Sequence, residues 1–287
     1  MSRVVLITGC SSGIGRALAE ALAVAGWAVY AGARSAAARE QLAQAGCIPL
    51  ELDVCDDSQC QSAIVRIDSE QGHLDALVNN AGYGLHGALE EVALDAARQQ
   101  FETNVFSVAR LCQLVLPGMR ARGQGHILNM SSMGGRITFP GGSFYHASKH
   151  ALEAMTDALR FEVAGFGIHV VLIEPGPVRS TFGQTGIETL VPHTRHAAYA
   201  ELHAGIRAGL TSTFEGPGSE LSSTPEEVAA VCRDVLEQQQ PRPRYVVGEM
   251  ARTLIEQRSR DGDEAWDRFL ETLYPRPGGD SESDSSG

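Results

Sequence analysis

Val4-Val5-Leu6-Ile7-Thr8-Gly9-Cys10-Ser11-Ser12-Gly13-Ile14-Gly15 passes from an apolar run of β-formers straight into a glycine-rich turn. Beyond it, Ile14, Ala17, Leu18, Ala21, Leu22 and Ala25 recur at helical spacing up to Gly26. Strand, tight turn and helix in that order open a βαβ unit. Glycines in such a turn let the main chain bend sharply and approach a bound group. The helix N-terminus adds free N–H donors and a positive dipole end, which together suit a pyrophosphate. The spacing is GxxxGxG rather than GxGxxG, so the turn is longer than in the commoner dinucleotide fingerprint. Gly9, Ser11, Ser12, Gly13, Ile14 and Gly15 are therefore candidate phosphate-loop contacts.

The alternation continues. Further strands are expected at residues 28–33, 48–53, 77–80, 126–130 and 169–173, with long helices over about 93–122 and 145–164. This pattern predicts an α/β protein: a Rossmann-type doubly wound parallel sheet of about seven strands flanked by helices. Past residue 180 the alternation lapses. Residues 181–223 are rich in Gly, Thr and His, with one amphipathic stretch through Tyr199, Leu202, Ile206 and Leu210, and read as a substrate lid. Thr224-Pro225-Glu226-Glu227 restarts regular structure with a helix cap, followed by a strand at 244–247 and a terminal helix carrying Trp266, Phe269, Leu270 and Leu273. Residues 1–275 are expected to form one domain, with a disordered tail at 276–287.

Composition narrows the function. A net charge of −12 with no basic stripe argues against a nucleic-acid partner. No apolar run approaches the roughly 20 residues of a membrane span. The N-terminus has no leader architecture, so a cytoplasmic location is expected. Six cysteines show neither a CxxC pair nor ligand spacing with histidine and read as reduced thiols. His86, His193 and His196 read as loop histidines, and no metal is expected. Of 23 basic residues, only Lys149 is lysine, so position 149 needs a flexible point charge where a planar guanidinium would not serve.

That lysine lies four residues after Tyr145 on a predicted helix, hence on one face with it. A free phenol, with a pKa of about 10, is a poor base at neutral pH, and a neighbouring ammonium would make it more acidic. Ser132 follows the fifth strand, where parallel-sheet enzymes carry their chemistry, and Ser131 competes with it for the substrate oxygen. The second strand ends Ala31-Gly32-Ala33-Arg34, with an arginine where a carboxylate would select NAD(H); this favours NADP(H). Asp53 and Val54, closing the third strand, are placed to reach an adenine.

TGCSSGIG (8–15), NNAG (79–82), Asn104, Ser132, YHASK (145–149) and PGPVRST (175–181) resemble, in this order, the short-chain dehydrogenase/reductase family over about residues 3–180. Ser132 precedes Tyr145 by 13 residues, the family spacing, which selects it over Ser131. The resemblance implies Tyr145 as general acid/base, Ser132 holding the substrate oxygen, Lys149 lowering the phenol pKa and binding ribose, and Asn104 keeping a relay water. It further implies cofactor contacts from Asn80, Ala81, Gly82, Pro175, Gly176, Val178 and Thr181. The wording looks most like bacterial relatives of hydroxysteroid and retinol dehydrogenases. An oxidoreductase acting on a lipophilic ketone or secondary alcohol is thus expected, as a homodimer or homotetramer on the two long helices. Ketoacyl-thioester reduction and non-catalytic NADP sensing are the alternatives. Substrate contacts are expected from Ser132, Tyr145, Met133, Tyr83 and Phe182, with Leu85, His86, Gly134, Phe139, Phe144 and Pro175 as further walls.

Overall fold

The computed structural model describes residues 2–190, 196–214 and 216–274. The expected tail and His193 lie outside these. In chain order come β1 (Val4–Ile7), α1 (Gly13–Val24), β2 (Ala28–Ala33), α2 (Ala36–Gln44), β3 (Ile48–Glu51), α3 (Asp57–Gln71) and β4 (Ala76–Asn79). Then follow α4 (Leu94–Phe101), α5 (Ser107–Arg122), β5 (Gly125–Met130), α6 (Ser143–Val163), β6 (Ile168–Pro175), α7 (Thr181–Leu190) and α8 (Ala200–Phe214). The last elements are α9 (Pro225–Glu237), β7 (Arg244–Val247) and α10 (Glu249–Leu273).

The seven strands form one parallel sheet in the order β3-β2-β1-β4-β5-β6-β7. Its direction reverses between β1 and β4, and ligands of open α/β sheets bind beyond the strand ends at such a switch. Both faces are covered, which is why β1 reads as unbroken apolar sequence rather than alternating. On one face Leu18, Leu22, Val228 and Val235 pack against Val5, Ile7 and Ile173. On the other, Ile64, Leu111, Val115 and Leu152 pack against Leu6, Leu77 and Ile127.

Two expectations need correction. The helix expected over 93–122 is interrupted: α4 and α5 are joined by a π-helical turn, Glu102–Phe106. The extra residue in that turn is invisible to a 3.6-residue periodicity, and such bulges recur at functional sites. The lid is also more regular than its composition suggests, because α7 and α8 occupy most of it and pack on one another. Buried His203 on α8 pairs with buried Glu91 at 2.9 Å, pinning the lid to the loop after β4. Among the described residues no helix is long and apolar enough to cross a membrane.

Candidate active site

The phosphate loop is held from beneath by the segment after β4. The Thr8 hydroxyl accepts from the backbone N–H groups of Asn80 and Ala81, both at 3.0 Å. The Asn80 amide donates back to the carbonyls of Thr8 and Gly9 at 2.9 and 3.1 Å. Gly9 has φ +71°, and a Cβ at Gly15 would stand 2.4 Å from the Asn80 amide nitrogen, so neither position admits a larger residue. Gly15 thus supports the loop from behind. Gly9, Ser11, Ser12, Gly13 and Ile14 face the cavity. Across it, the hydroxyls of Ser12 and Thr181 hydrogen-bond at 3.1 Å, bringing the start of α7 against the loop.

Ser132 caps the short turn Met133–Gly135, its hydroxyl accepting from the Gly134 N–H at 3.0 Å. It also lies close enough to the Tyr145 phenol to favour its ionised form. Tyr145 lies in the first turns of α6, packed among His146, Phe182 and His86 with ring centres 5.4, 5.7 and 6.1 Å away. Lys149, one turn on, donates to the Met130 carbonyl at 2.7 Å. The electrostatics differ from the expectation. Burial pushes the phenol up to about 12, and Ser132, not Lys149, is the group that opposes this. Burial likewise pushes the lysine down to about 8. With its ammonium on the Met130 carbonyl, Lys149 is not the group that sets the phenol's acidity in this state.

Asn104 sits on the π-turn, fully buried rather than exposed. Its amide spans two elements. It donates to the Tyr83 carbonyl at 3.1 Å and to the Ser148 hydroxyl at 3.0 Å, and accepts from the Tyr83 N–H at 3.2 Å. A Cβ built on Gly82 would meet the Asn104 carbonyl oxygen at 3.1 Å and the Lys149 amine at 3.7 Å, so the two side chains converge on one point. Ser131, the competitor of Ser132, also lines the cavity, but its hydroxyl is buried where a Cβ on Gly135 would meet both it and Glu153, at 2.8 and 2.9 Å.

One cavity of 1220 Å³ runs from Arg34, Asp53 and Val54, past Ala81, Gly82, Pro175, Gly176 and Val178, to Ser132, Tyr145 and Lys149, and on beneath the lid. Tyr83, Met133 and Phe182 line its far part, as do His86, Gly134 and Phe139, whereas Leu85 and Phe144 do not. Arg34 is exposed at the rim, and its guanidinium has no ion pair among the described residues. One Asp53 carboxylate oxygen accepts from the Cys55 N–H at 3.0 Å, a turn contact at the cavity edge. The glycine loop, the helix N-terminus and the long cleft fit an anionic dinucleotide.

Sequence reasoning missed two features. Ile206, Leu210 and Phe214 of α8, with Met250, Leu254 and Phe269 of α10, complete the apolar end. The spacing of Ile206 and Leu210 was the available signal. His146 was the other omission. Its Nδ1–H donates to the Gly134 carbonyl and its Nε2 accepts from the Phe139 N–H, both at 3.1 Å, pinning the loop that carries Ser132. Burial drives its pKa down to about 4, consistent with a neutral ring holding one donor and one acceptor.

Comparison with known proteins agrees with this fold. The chain is 36% identical to human 17-beta-hydroxysteroid dehydrogenase type 1 over 277 residues, covering 90% of this chain and 81% of that one. It is 44% identical to human retinol dehydrogenase 8 over 194 residues, covering 63% and 60%. A crystal structure of a short-chain dehydrogenase from Streptomyces avermitilis superposes with a TM-score of 0.80 at 34% identity, covering 95% of this chain and 97% of that one. A family model described as short chain dehydrogenase matches residues 3–189, and with Ser132, Tyr145 and Lys149 gathered at one end of a dinucleotide-sized cleft, the chain belongs to the short-chain dehydrogenase/reductase family of oxidoreductases.

Proposed function

We propose that this protein is an NADP(H)-dependent ketone reductase, or the reverse secondary-alcohol dehydrogenase, acting on a lipophilic substrate. The observation that carries the reading is the position of Tyr145. Its phenol, beside the Ser132 hydroxyl, sits where the phosphate-loop cleft opens into a chamber walled by Met133, Phe139, Phe182, Ile206 and Leu210. Bound in the cleft, the cofactor supplies or takes the hydride. Ser132 and Tyr145 hold the substrate oxygen, and Tyr145 gives or receives its proton. Lys149, freed from Met130, would bind ribose and stabilise the phenolate. Asn104 braces Tyr83 and Ser148 around them.

Arg34 at the rim supports NADP(H) over NAD(H), since its guanidinium can pair with a 2′-phosphate. The apolar chamber agrees with the steroid and retinol named for two human relatives. Leu94 on α4, Phe106 on the π-turn and Phe161 on α6, exposed at 62%, 55% and 88%, support assembly through the two long helical stretches. The test is NADPH consumption with steroid, retinoid and aromatic ketones, and with a ketoacyl thioester, by the native protein and by Tyr145→Phe. Turnover of the apolar ketones that collapses in the variant while NADPH binding persists is expected. Undiminished turnover in Tyr145→Phe, or activity on the thioester alone, would refute the reading.

A further inference from the structure

His86 lies in the chamber beside the phenol, and the mechanism above gives it no part. Its ring centre is 6.1 Å from that of Tyr145, with the planes tilted by 31°. Two glycines make room for it. A Cβ on Gly84 would stand 2.9 Å from its Cε1, and one on Gly186 of α7 would stand 3.2 Å from both Cε1 and Nδ1. The backbone is fixed as well: the His86 N–H donates to the Thr189 hydroxyl at 3.3 Å, and that hydroxyl donates to the Gly84 carbonyl at 3.1 Å. The ring is therefore clamped between the loop after β4 and the lid.

Its two nitrogens differ. Nδ1 is enclosed without a hydrogen-bond partner. Nε2 bonds to no described residue and stays accessible from the cavity. Burial drives the imidazole pKa down to about 4, so the ring is neutral at physiological pH. Nε2 of a neutral ring can pair with a hydroxyl, which donates a hydrogen bond to its lone pair in one tautomer and accepts one from its N–H in the other. The neighbouring His146 offers nothing comparable, because both of its nitrogens are engaged.

On the proposed reading that the protein reduces ketones, we propose that His86 Nε2 hydrogen-bonds a second, hydroxyl oxygen of the substrate, one or two carbons from the reacting carbonyl. The 6.1 Å between the two ring centres keeps that separation short. The substrate class is then a lipophilic hydroxy ketone, and its reduction product a diol. In the reduction a hydride from the reduced nicotinamide forms the new C–H bond. The C=O π pair becomes the O–H bond with the proton from Tyr145, and the hydroxyl bound to His86 is unchanged.

The experiment compares 2-hydroxyacetophenone with acetophenone, with NADPH and with NADH, as a ratio of kcat/KM. A buried polar group left unpaired by the parent ketone predicts a native ratio of at least about tenfold. His86→Leu should bring it towards unity, and His86→Gln, which keeps an acceptor, should restore part of it. Thermal melts and NADPH binding confirm folding of both variants. A native ratio near one overturns the proposal without any variant, as does a ratio that His86→Leu leaves unchanged; either leaves the oxidoreductase reading standing. Failure of the native protein to turn over either ketone, or any from the wider panel, overturns both.

Discussion

Oxidation of an alcohol needs the Tyr145 phenolate, and burial opposes it: the phenol is pushed up to about 12 and the Lys149 ammonium down to about 8. The two groups lose protons as a coupled pair, the first near pH 8 and mostly from the lysine. An ammonium moved from the Met130 carbonyl to about 4 Å from the phenol oxygen gains about 4 kcal/mol at an effective dielectric near 20. That is about three pKa units, bringing the phenol to about 9 beside a charged lysine. About one in ten singly deprotonated molecules then carries phenolate and ammonium together. Oxidation should therefore rise about tenfold per pH unit and level off above about pH 8. Reduction, which needs both protons, should be flat below that point and fall above it. In Lys149→Met the phenol keeps its value of about 12, so oxidation at pH 8 should drop about 500-fold, about 3.7 kcal/mol. Initial rates followed by reduced-nicotinamide absorbance between pH 6 and 10 give both profiles. Oxidation that is flat from pH 6 to 8, or undiminished in Lys149→Met, would refute the reasoning.

Arg34→Asp should move the NADPH-to-NADH ratio of kcat/KM by about 10- to 100-fold towards NADH, the worth of a charge-assisted contact to a 2′-phosphate. His146→Ala removes the hydrogen bonds to Gly134 and Phe139, and should cost about 2–4 kcal/mol in chemical denaturation while displacing the Ser132 turn. Burial, then repulsion from Glu153, raises Glu174 from 4.5 to about 7. The folded protein thus keeps a proton that the unfolded chain releases near 4.5, and this stabilisation is lost as pH rises through about 7. Glu174→Gln should flatten the denaturation midpoint across that window, and an unchanged slope would count against the buried pair.

The sheet was legible because a parallel strand buried on both faces must be apolar throughout, as Val4 to Ile7 are. The phosphate loop was legible because its glycines answer to backbone demands, at Gly9 and Gly15 above all. Asn104 could be located only by its order among the motifs, since one extra residue in a helical turn leaves no mark on periodicity. The lid helices were obscured for a physical reason. Gly183 and Gly186 each cost α7 about 1 kcal/mol of helix propensity, yet a Cβ at Gly183 would stand 2.2 Å from Phe214, and one at Gly186 would press on His86. Packing between the lid and the site overrode local preference there. The same long-range packing put α10 into the chamber, which no local pattern announces.

The solitary lysine has a practical consequence. Lysine labelled with 13C or 15N would report from one buried side chain, whose amine lies 2.7 Å from the Met130 carbonyl. Any nucleotide that draws the amine off that carbonyl would shift one resonance on an otherwise empty background. This chain carries its own spectroscopic probe at the place where its chemistry begins.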